Sequence, residues 1–208
     1  MKNKQIFKLT LTASLLAMAI ALDVVTGLIP GLNLKMPLGG RFFNISLFPI
    51  MVVGLVLGLK YGLGAGILYG FFSFFYDGYA FAYFAENLGD ATLVFFLDYI
   101  VAFGVLGLTG LFKEALNKPT HLILSITSVL LLRWVSSTIV GAILWVSYAT
   151  DTEWTNSLLN NVGGNAFLYS AIYNILYTLT TLISIIIIAW FTRKQIKALK
   201  TQYTIQKA

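Results

Sequence analysis

Long apolar runs separated by short polar breaks cover most of the chain. A run of about 20 apolar residues is long enough to cross a lipid bilayer as a helix. The runs and their breaks predict six membrane-spanning helices, at residues 6–28, 45–59, 63–84, 91–112, 121–148 and 166–191. Because six spans leave only short loops and tails, we expect a single membrane domain over residues 1–208. The predicted fold class is therefore an all-α integral membrane protein, with the six transmembrane helices in one compact bundle.

The composition agrees with a membrane location and excludes several kinds of chemistry. Of the 208 residues, 58% are hydrophobic and 11% are charged, whereas an average soluble protein has about 25% charged residues. The chain has no cysteine and one histidine, which removes disulfides, thiolate ligands and histidine metal clusters. It also lacks a Walker-type phosphate-binding loop. We therefore expect no catalytic residues, no metal, no cofactor and no ATP hydrolysis by the chain itself.

The basic residues predict the orientation of the bundle. Apart from Arg133, which lies within a span, all but two of the lysines and arginines fall on one side of the predicted bundle, and only Lys35 and Arg41 fall on the other. Since loops rich in lysine and arginine stay in the cytoplasm, both termini are expected to be cytoplasmic. The net charge of +6 is thus a signal of topology and not of nucleic-acid binding. Residues 17–19 are typical of a signal-peptide cleavage site, but the apolar run continues to Pro30, so we interpret it as a retained helix.

Small residues mark places where helices can approach closely or where the chain can turn. Ala13, Ala17 and Ala21 recur at every fourth residue of the first span and form a smooth strip. Either another helix of the chain or a partner protein could pack against this strip. The loop over residues 29–44 is rich in proline and glycine and is a candidate lid. Around the second and third spans, helix packing explains the glycines at positions 54, 58, 62, 64, 66 and 70.

Four charged residues lie in or near the predicted spans, where ionisable groups usually mark function. Asp23 and Asp77 lie near the outer ends of spans one and three, and either could simply reach interfacial water. Asp98 lies in the middle of span four, and Arg133 lies within span five. Asp98 and Arg133 could form a structural ion pair, or they could belong to a binding site.

Aromatic and polar residues share helix faces in the last two spans. Steps of three or four residues connect Trp134, Ser137, Gly141, Trp145 and Tyr148 in span five, and Tyr169 with Tyr173 and Ser170 with Asn174 in span six. Membrane-interface aromatics and polar contacts between helices are the alternative explanations. Together with Asp98, these rings, hydroxyls and amide are the parts of a site for a flat cationic ligand. No nucleophile–base pair accompanies them, so binding is favoured over catalysis.

Three segments resemble a known family: LDYIVAF at residues 97–103, GAILWVSYA at 141–149 and LYSAIYN at 168–174. They are similar to the thiamine-specific substrate-binding (S) components of energy-coupling factor (ECF) transporters. The resemblance covers essentially the whole chain. It implies a protein of the bacterial cell membrane that captures a vitamin from outside and associates with a membrane coupling subunit (T component) and two cytoplasmic ATPases.

The resemblance also implies roles for individual residues. Asp98 with Tyr99 would meet the thiazolium of thiamine, Trp145 would stack on a ring of the ligand, and Tyr169 and Asn174 would bind its polar groups. Ser137 and Tyr148 complete the expected substrate-binding set, and the strip formed by Ala13, Ala17 and Ala21 resembles the family's docking surface for the coupling subunit.

Two departures from the family pattern keep the ligand open. Ser137 stands where family members often carry a histidine, and Asp98 stands where some carry a glutamate. A related vitamin or a pyrimidine precursor is therefore the alternative to thiamine. Two further classes stay open: a membrane enzyme or assembly factor, and a stand-alone ion-coupled transporter that uses Asp23, Asp77 and Asp98 as a relay. The expected partners are the vitamin, the coupling subunit, the two ATPases and the lipid bilayer, with no nucleic acid.

Overall fold

The structure is a computed structural model that describes residues 2–29, 31, 33–77 and 87–205. We number its helices α1 (Lys2–Leu28), α2 (Leu47–Leu57), α3 (Leu59–Tyr76), α4 (Leu88–Leu111), α5 (Pro119–Ile143), α6 (Glu153–Asn161) and α7 (Ala166–Ile205). A 3-10 helical turn, Trp145–Asp151, lies between α5 and α6. Within the described ranges the chain forms no β-strand beyond one isolated bridge between Lys35 and Arg41. The prediction of an all-helical fold is confirmed for these residues.

Four helices, α1, α4, α5 and α7, are long and apolar enough to cross a membrane, as expected of a multi-pass membrane protein. The buried apolar helix α2 has 11 residues, which is about 16 Å of helix. Part of the predicted third span, residues 78–84, lies outside the described residues. Two helix ends differ from the prediction, because α5 ends at Ile143 and not at residue 148, whereas α7 continues beyond residue 191 to Ile205.

Local sequence explains where several helices begin and end. Pro119 occupies the first turn of α5, where its missing N–H is not needed. The side chain of Asn87 caps α4 by accepting a hydrogen bond from the backbone N–H of Gly89 at 3.0 Å. Gly58 separates α2 from α3 with a φ of 89°, a conformation that favours glycine. The apolar run over residues 47–76 therefore folds as two helices.

The centre of the bundle is α2, in which every residue is buried. It packs against α1, α3, α4 and α7. By contrast, α1 lies at the edge of the bundle and turns only a narrow face, including Leu15, Ala19 and Asp23, towards the core. The alanine strip (Ala13, Ala17 and Ala21) lies on the opposite, exposed side of α1. Within the described chain, no other helix of this protein covers that strip.

Close contact between α3 and α4 depends on glycine. A Cβ atom on Gly62 would lie 2.7 Å from the carbonyl oxygen of Gly107, and one on Gly66 would lie 2.4 Å from the carbonyl oxygen of Phe103. Both distances are shorter than van der Waals contact. With larger residues at these positions, the two backbones could not lie as close together as they do. The packing explanation holds for these glycines, whereas Gly64 faces open space and makes no such contact.

Helix α4 changes its geometry where it carries the predicted binding residues. Residues Phe95–Val101 are π-helical, and this segment includes Asp98 and Tyr99. The side chain of Ser136 in α5 donates a hydrogen bond to the carbonyl oxygen of Leu97 at 2.7 Å. Segments of π-helix interrupt the regular backbone bonding of a helix and occur frequently at functional sites.

Candidate functional site

A cavity of about 440 Å³ lies at the end of the bundle that carries the loop 33–46. Its volume is within the range of about 300 to 1,000 Å³ that is usual for small-molecule pockets. Side chains from α1, α3, α4, α5, α7, the 3-10 turn and the loop form its wall. Of the seven predicted substrate-binding residues, six line this cavity: Asp98, Tyr99, Ser137, Trp145, Tyr169 and Asn174.

Tyr148 is the predicted residue that lies outside the cavity lining. Its ring packs beside the Trp145 ring, with centroids 6.0 Å apart. The prediction placed Tyr148 on the cavity face by α-helical spacing. That spacing does not apply at Tyr148, because α5 ends at Ile143 and the chain continues as a 3-10 turn. Trp134, on the same predicted face, donates its Nε1–H to the carbonyl oxygen of Ala171 at 3.1 Å and so connects α5 to α7.

Asp98 presents a carboxylate to the cavity from the middle of α4. Trp145 donates its Nε1–H to Asp98 Oδ2 at 2.8 Å, which holds the indole beside the carboxylate. Arg133 forms no ion pair with Asp98; its guanidinium lies over the ring of Phe103, 5.0 Å from the ring centre. The alternative of a structural pair between Asp98 and Arg133 is therefore wrong. In the described part of the chain, no cation lies within ion-pair distance of Asp98.

The other two carboxylates at the cavity have protein partners. Asp23 forms a largely buried ion pair with Arg41 of the loop, and Arg41 Nη1 also donates to the backbone carbonyl of Asp23 at 3.0 Å. Asp77 is exposed at the end of α3 and accepts a hydrogen bond from the Tyr99 hydroxyl at 3.0 Å. Asp77 and Asp98 are therefore the cavity carboxylates without an ion pair among the described residues, and Asp98 is the one beside the Trp145 indole.

Polar groups on α7 reach the cavity where α5 and α7 pack closely at Gly141. A Cβ atom there would lie 2.2 Å from Ser170 Oγ, so only glycine leaves room for this contact. Ser170 Oγ donates to the carbonyl oxygen of Thr138 at 2.9 Å and thus connects the two helices. Asn174 donates to the backbone carbonyl of Ser170 at 2.8 Å and accepts a hydrogen bond from the Tyr177 hydroxyl. The protein therefore orients the Asn174 amide before any ligand contacts it.

Three cavity-lining residues have a buried polar atom without a hydrogen-bond partner among the described residues: Ser73 Oγ, Arg133 Nε and the Tyr169 hydroxyl. Buried polar atoms are nearly always hydrogen-bonded, because an unmade bond costs about 1–3 kcal/mol. They come from α3, α5 and α7, which surround the cavity. These three atoms are enclosed by protein, so a ligand in the cavity would contact them only after neighbouring side chains move.

The loop folds back on itself and covers one side of the cavity. The backbone N–H of Met36 donates to the carbonyl of Gly40 at 2.9 Å, and that of Gly39 donates to the carbonyl of Met36 at 3.0 Å. The Tyr173 hydroxyl of α7 accepts from the backbone N–H of Leu38 at 3.2 Å and donates to the carbonyl of Gly39 at 2.8 Å. The loop is thus attached directly to a helix of the cavity wall.

Aromatic rings and two carboxylates, Asp77 and Asp98, that form no ion pair with a described residue suit a flat ligand with a positive charge and polar substituents. Rings attract a cation through their electron-rich faces, and a carboxylate supplies the countercharge. The family model for thiamine transporter protein (Thia_YuaJ) matches residues 12–200. The chain belongs to this family. A relative, the thiamine transporter ThiT of Bacillus subtilis (strain 168), is 31% identical over 192 residues, which cover 88% of each chain.

Membership in the thiamine transporter family confirms the resemblance that three short segments indicated. The sequence reasoning missed other residues at the cavity. Tyr69 and Ser73 line the cavity eight and four residues before Asp77, which the sequence had already indicated as a charged residue, so helical periodicity in α3 was an available signal for both. The contact between Tyr173 and Leu38 joins residues 135 positions apart, and no local pattern indicates it.

Proposed function

We propose that this thiamine transporter family member is the high-affinity substrate-binding (S) component of an ECF-type vitamin uptake transporter. It binds thiamine from outside the cell and delivers it together with a membrane coupling subunit and two ATPases, which hydrolyse the ATP. The observation that carries the proposal is the geometry at Asp98: a carboxylate that forms no ion pair with any described residue, beside the Trp145 indole in a cavity of about 440 Å³.

In the proposed complex the cationic thiazolium lies near Asp98 and Tyr99, and Trp145 stacks on a ring of the vitamin. Tyr169, Asn174 and Ser137 bind the polar groups of the ligand. This arrangement is supported by the cavity lining, which includes all of these residues. Tyr148 contributes through its packing on Trp145.

The proposed topology is six membrane spans with both termini in the cytoplasm. The basic residues support it, since those on the side opposite the termini are only Lys35 and Arg41. Because the loop 33–46 carries both, it faces the outside of a bacterial cell membrane in this topology. The cavity then opens outward, as uptake requires.

The coupling subunit docks on the alanine strip of α1 in this proposal. Support comes from the exposure of Ala13, Ala17 and Ala21 on a helix that turns only a narrow face to its own bundle. A strip of small residues lets a partner helix approach closely. In the assembled transporter the strip would then be buried by the partner.

The test is a calorimetric titration of the purified, detergent-solubilised chain with thiamine and, in parallel, with its aminopyrimidine precursor. Tight, saturable binding of thiamine that weakens strongly in Trp145→Phe is expected. Trp190→Phe is the matched control, because Trp190 is 56% exposed and lies outside the cavity lining. Stronger binding of the precursor would favour the related-ligand alternative. Ion-gradient-driven uptake by the chain alone in liposomes would contradict the S-component proposal.

A further inference from the structure

Three tyrosines, Tyr169, Tyr173 and Tyr177, follow one face of α7 and line the cavity, but their hydroxyls have different environments. The Tyr169 hydroxyl has no hydrogen-bond partner among the described residues, and the Tyr177 hydroxyl donates to Asn174. The Tyr173 hydroxyl alone of the three bonds to the loop, at Leu38 and Gly39.

We propose that Tyr173 is a positioning residue, whose hydroxyl holds the tip of the loop closed over the cavity and thereby sets how long a bound ligand stays. The use of thiamine as the ligand in this inference rests on the proposed function. The contact between Tyr173 and the loop is independent of that function, because it joins two parts of the protein itself.

The hydrogen bonds explain why Tyr173 serves the loop and not the ligand. A tyrosine hydroxyl has one proton to donate and a limited capacity to accept. Its proton goes to the carbonyl of Gly39 at 2.8 Å, and its oxygen accepts from the N–H of Leu38 at 3.2 Å. Both bonds go to backbone groups at the tip of the loop, so they fix the position of the tip whatever its side chains are.

The packing around Tyr173 provides the seat into which the loop fits. Met36 is 6% exposed and belongs to a small apolar cluster with Ala149 and the three α7 tyrosines. Gly40 lies directly against this cluster, since a Cβ atom there would be 2.7 Å from the Tyr177 ring. Its φ of 77° also favours glycine. Apolar contacts with this cluster therefore set where the loop packs, and the hydrogen bonds of the Tyr173 hydroxyl hold it there.

The loop is held at several points, including a hydrogen bond from the Asn44 N–H to Thr181 Oγ1 at 3.1 Å, and two of these points have different consequences for its tip. Arg41, at the end of the turn, is fixed to α1 through its ion pair with Asp23. The tip at residues 38–39 is fixed to α7 through Tyr173. Loss of the Tyr173 hydroxyl should release the tip while Arg41 keeps the base of the loop in place. The substitution should therefore change opening of the cavity much more than it changes folding.

The variant Tyr173→Phe keeps the ring and removes both hydrogen bonds. We expect the dissociation rate of thiamine to rise roughly 5- to 100-fold, from the loss of two ordinary hydrogen bonds. The association rate should not fall, because a ligand enters only when the loop is open and the substitution makes the open loop more frequent. Tyr61→Phe is the matched control: it loses a hydroxyl at a tyrosine outside the cavity lining.

A second measurement needs no ligand. Lys35 is exposed, and the next residue, Met36, is buried in the seat, so trypsin should cut between them only when the loop leaves the seat. We expect Tyr173→Phe to be cut at Lys35 at least several times faster than wild type, with Tyr61→Phe unchanged. Gly40→Ala, which cannot seat the loop, should be cut rapidly as well and gives an independent variant if Tyr173→Phe folds poorly.

The outcomes separate this inference from the proposed function. If wild type binds no thiamine, the proposed function is wrong, and the trypsin comparison alone decides the role of Tyr173. If wild type binds thiamine but Tyr173→Phe releases it at the wild-type rate, Tyr173 does not hold the loop. Slower association together with faster dissociation and a lower unfolding temperature would show a general structural defect and overturn the proposal.

Discussion

Replacing Asp98 with asparagine tests the charge in the cavity without changing its shape. Trp145 can keep its hydrogen bond, now to the amide oxygen, because that bond is made to one carboxylate oxygen at 2.8 Å. The substitution removes the negative charge. It breaks no ion pair, because no cation in the described chain lies within ion-pair distance of Asp98. Arg133 interacts with Asp98 only beyond ion-pair distance, so the expected loss is mainly in the interaction with a cationic ligand.

The magnitude follows from the half-buried position of Asp98. Removing one partner of a buried, hydrogen-bonded charge pair costs about 2–5 kcal/mol. Because Asp98 is not fully buried and its shape is kept, we expect the lower part of this range, about 2–4 kcal/mol, or a rise of about 30- to 1,000-fold in the Kd for thiamine. The neutral aminopyrimidine precursor has no thiazolium and should lose less than about threefold.

Isothermal titration calorimetry of both ligands against both proteins measures these four affinities. Asp90→Asn is the control, since Asp90 accepts a hydrogen bond from Asn87 and lies outside the cavity lining. An unchanged thiamine Kd in Asp98→Asn, with the unfolding temperature retained, would remove Asp98 from the site. An equal loss for the cation and the neutral precursor would show that the carboxylate acts on structure and not on charge.

Three further substitutions test packing, the cavity and docking. Gly62→Ala should lower the thermal unfolding temperature, since its Cβ would meet the carbonyl of Gly107 at 2.7 Å, whereas Gly64→Ala, in open space, should leave it unchanged or raise it. In Tyr169→Phe, thiamine affinity should fall roughly 2- to 10-fold, through the loss of one proposed hydrogen bond to the ligand; a wild-type Kd would exclude a ligand contact. Ala17→Trp should keep thiamine binding but abolish co-purification with the coupling subunit; retained co-purification would place the docking surface elsewhere.

The four long membrane helices were predictable from sequence because hydrophobic run length is a local property. The break between α2 and α3 was placed close to its position, but the role of Gly58 was wrong: it was attributed to helix packing, whereas no atom lies within 4 Å of its Cβ position and its φ of 89° marks the break. The end of α5 was predicted wrongly. Residues 144–148 remain apolar and aromatic, so nothing in their hydrophobicity marks the change from α-helix to 3-10 turn that moves Tyr148 out of the cavity lining.

The candidate site was partly predictable, because some of its signals are local properties of a single helix. Asp98 was indicated by the cost of a charge inside an apolar run, and Trp145, Tyr169 and Asn174 by helical spacing and by family resemblance. The pairing of charges was not predictable, because it depends on how helices are rotated against one another. Arg133 therefore lies over Phe103, and Asp23 takes its cation from the loop.

By itself, the sequence determined that this is an apolar helical bundle of the thiamine transporter family, with a charge on α4 and an aromatic face on α7. Only the tertiary structure decided which polar groups are left unsatisfied and how the loop is held. The reason is physical: hydrophobicity and periodicity act along one helix, whereas the bonds from Trp145 to Asp98 and from Tyr173 to Gly39 span 47 and 134 positions of the chain. Such contacts exist only after the helices have packed.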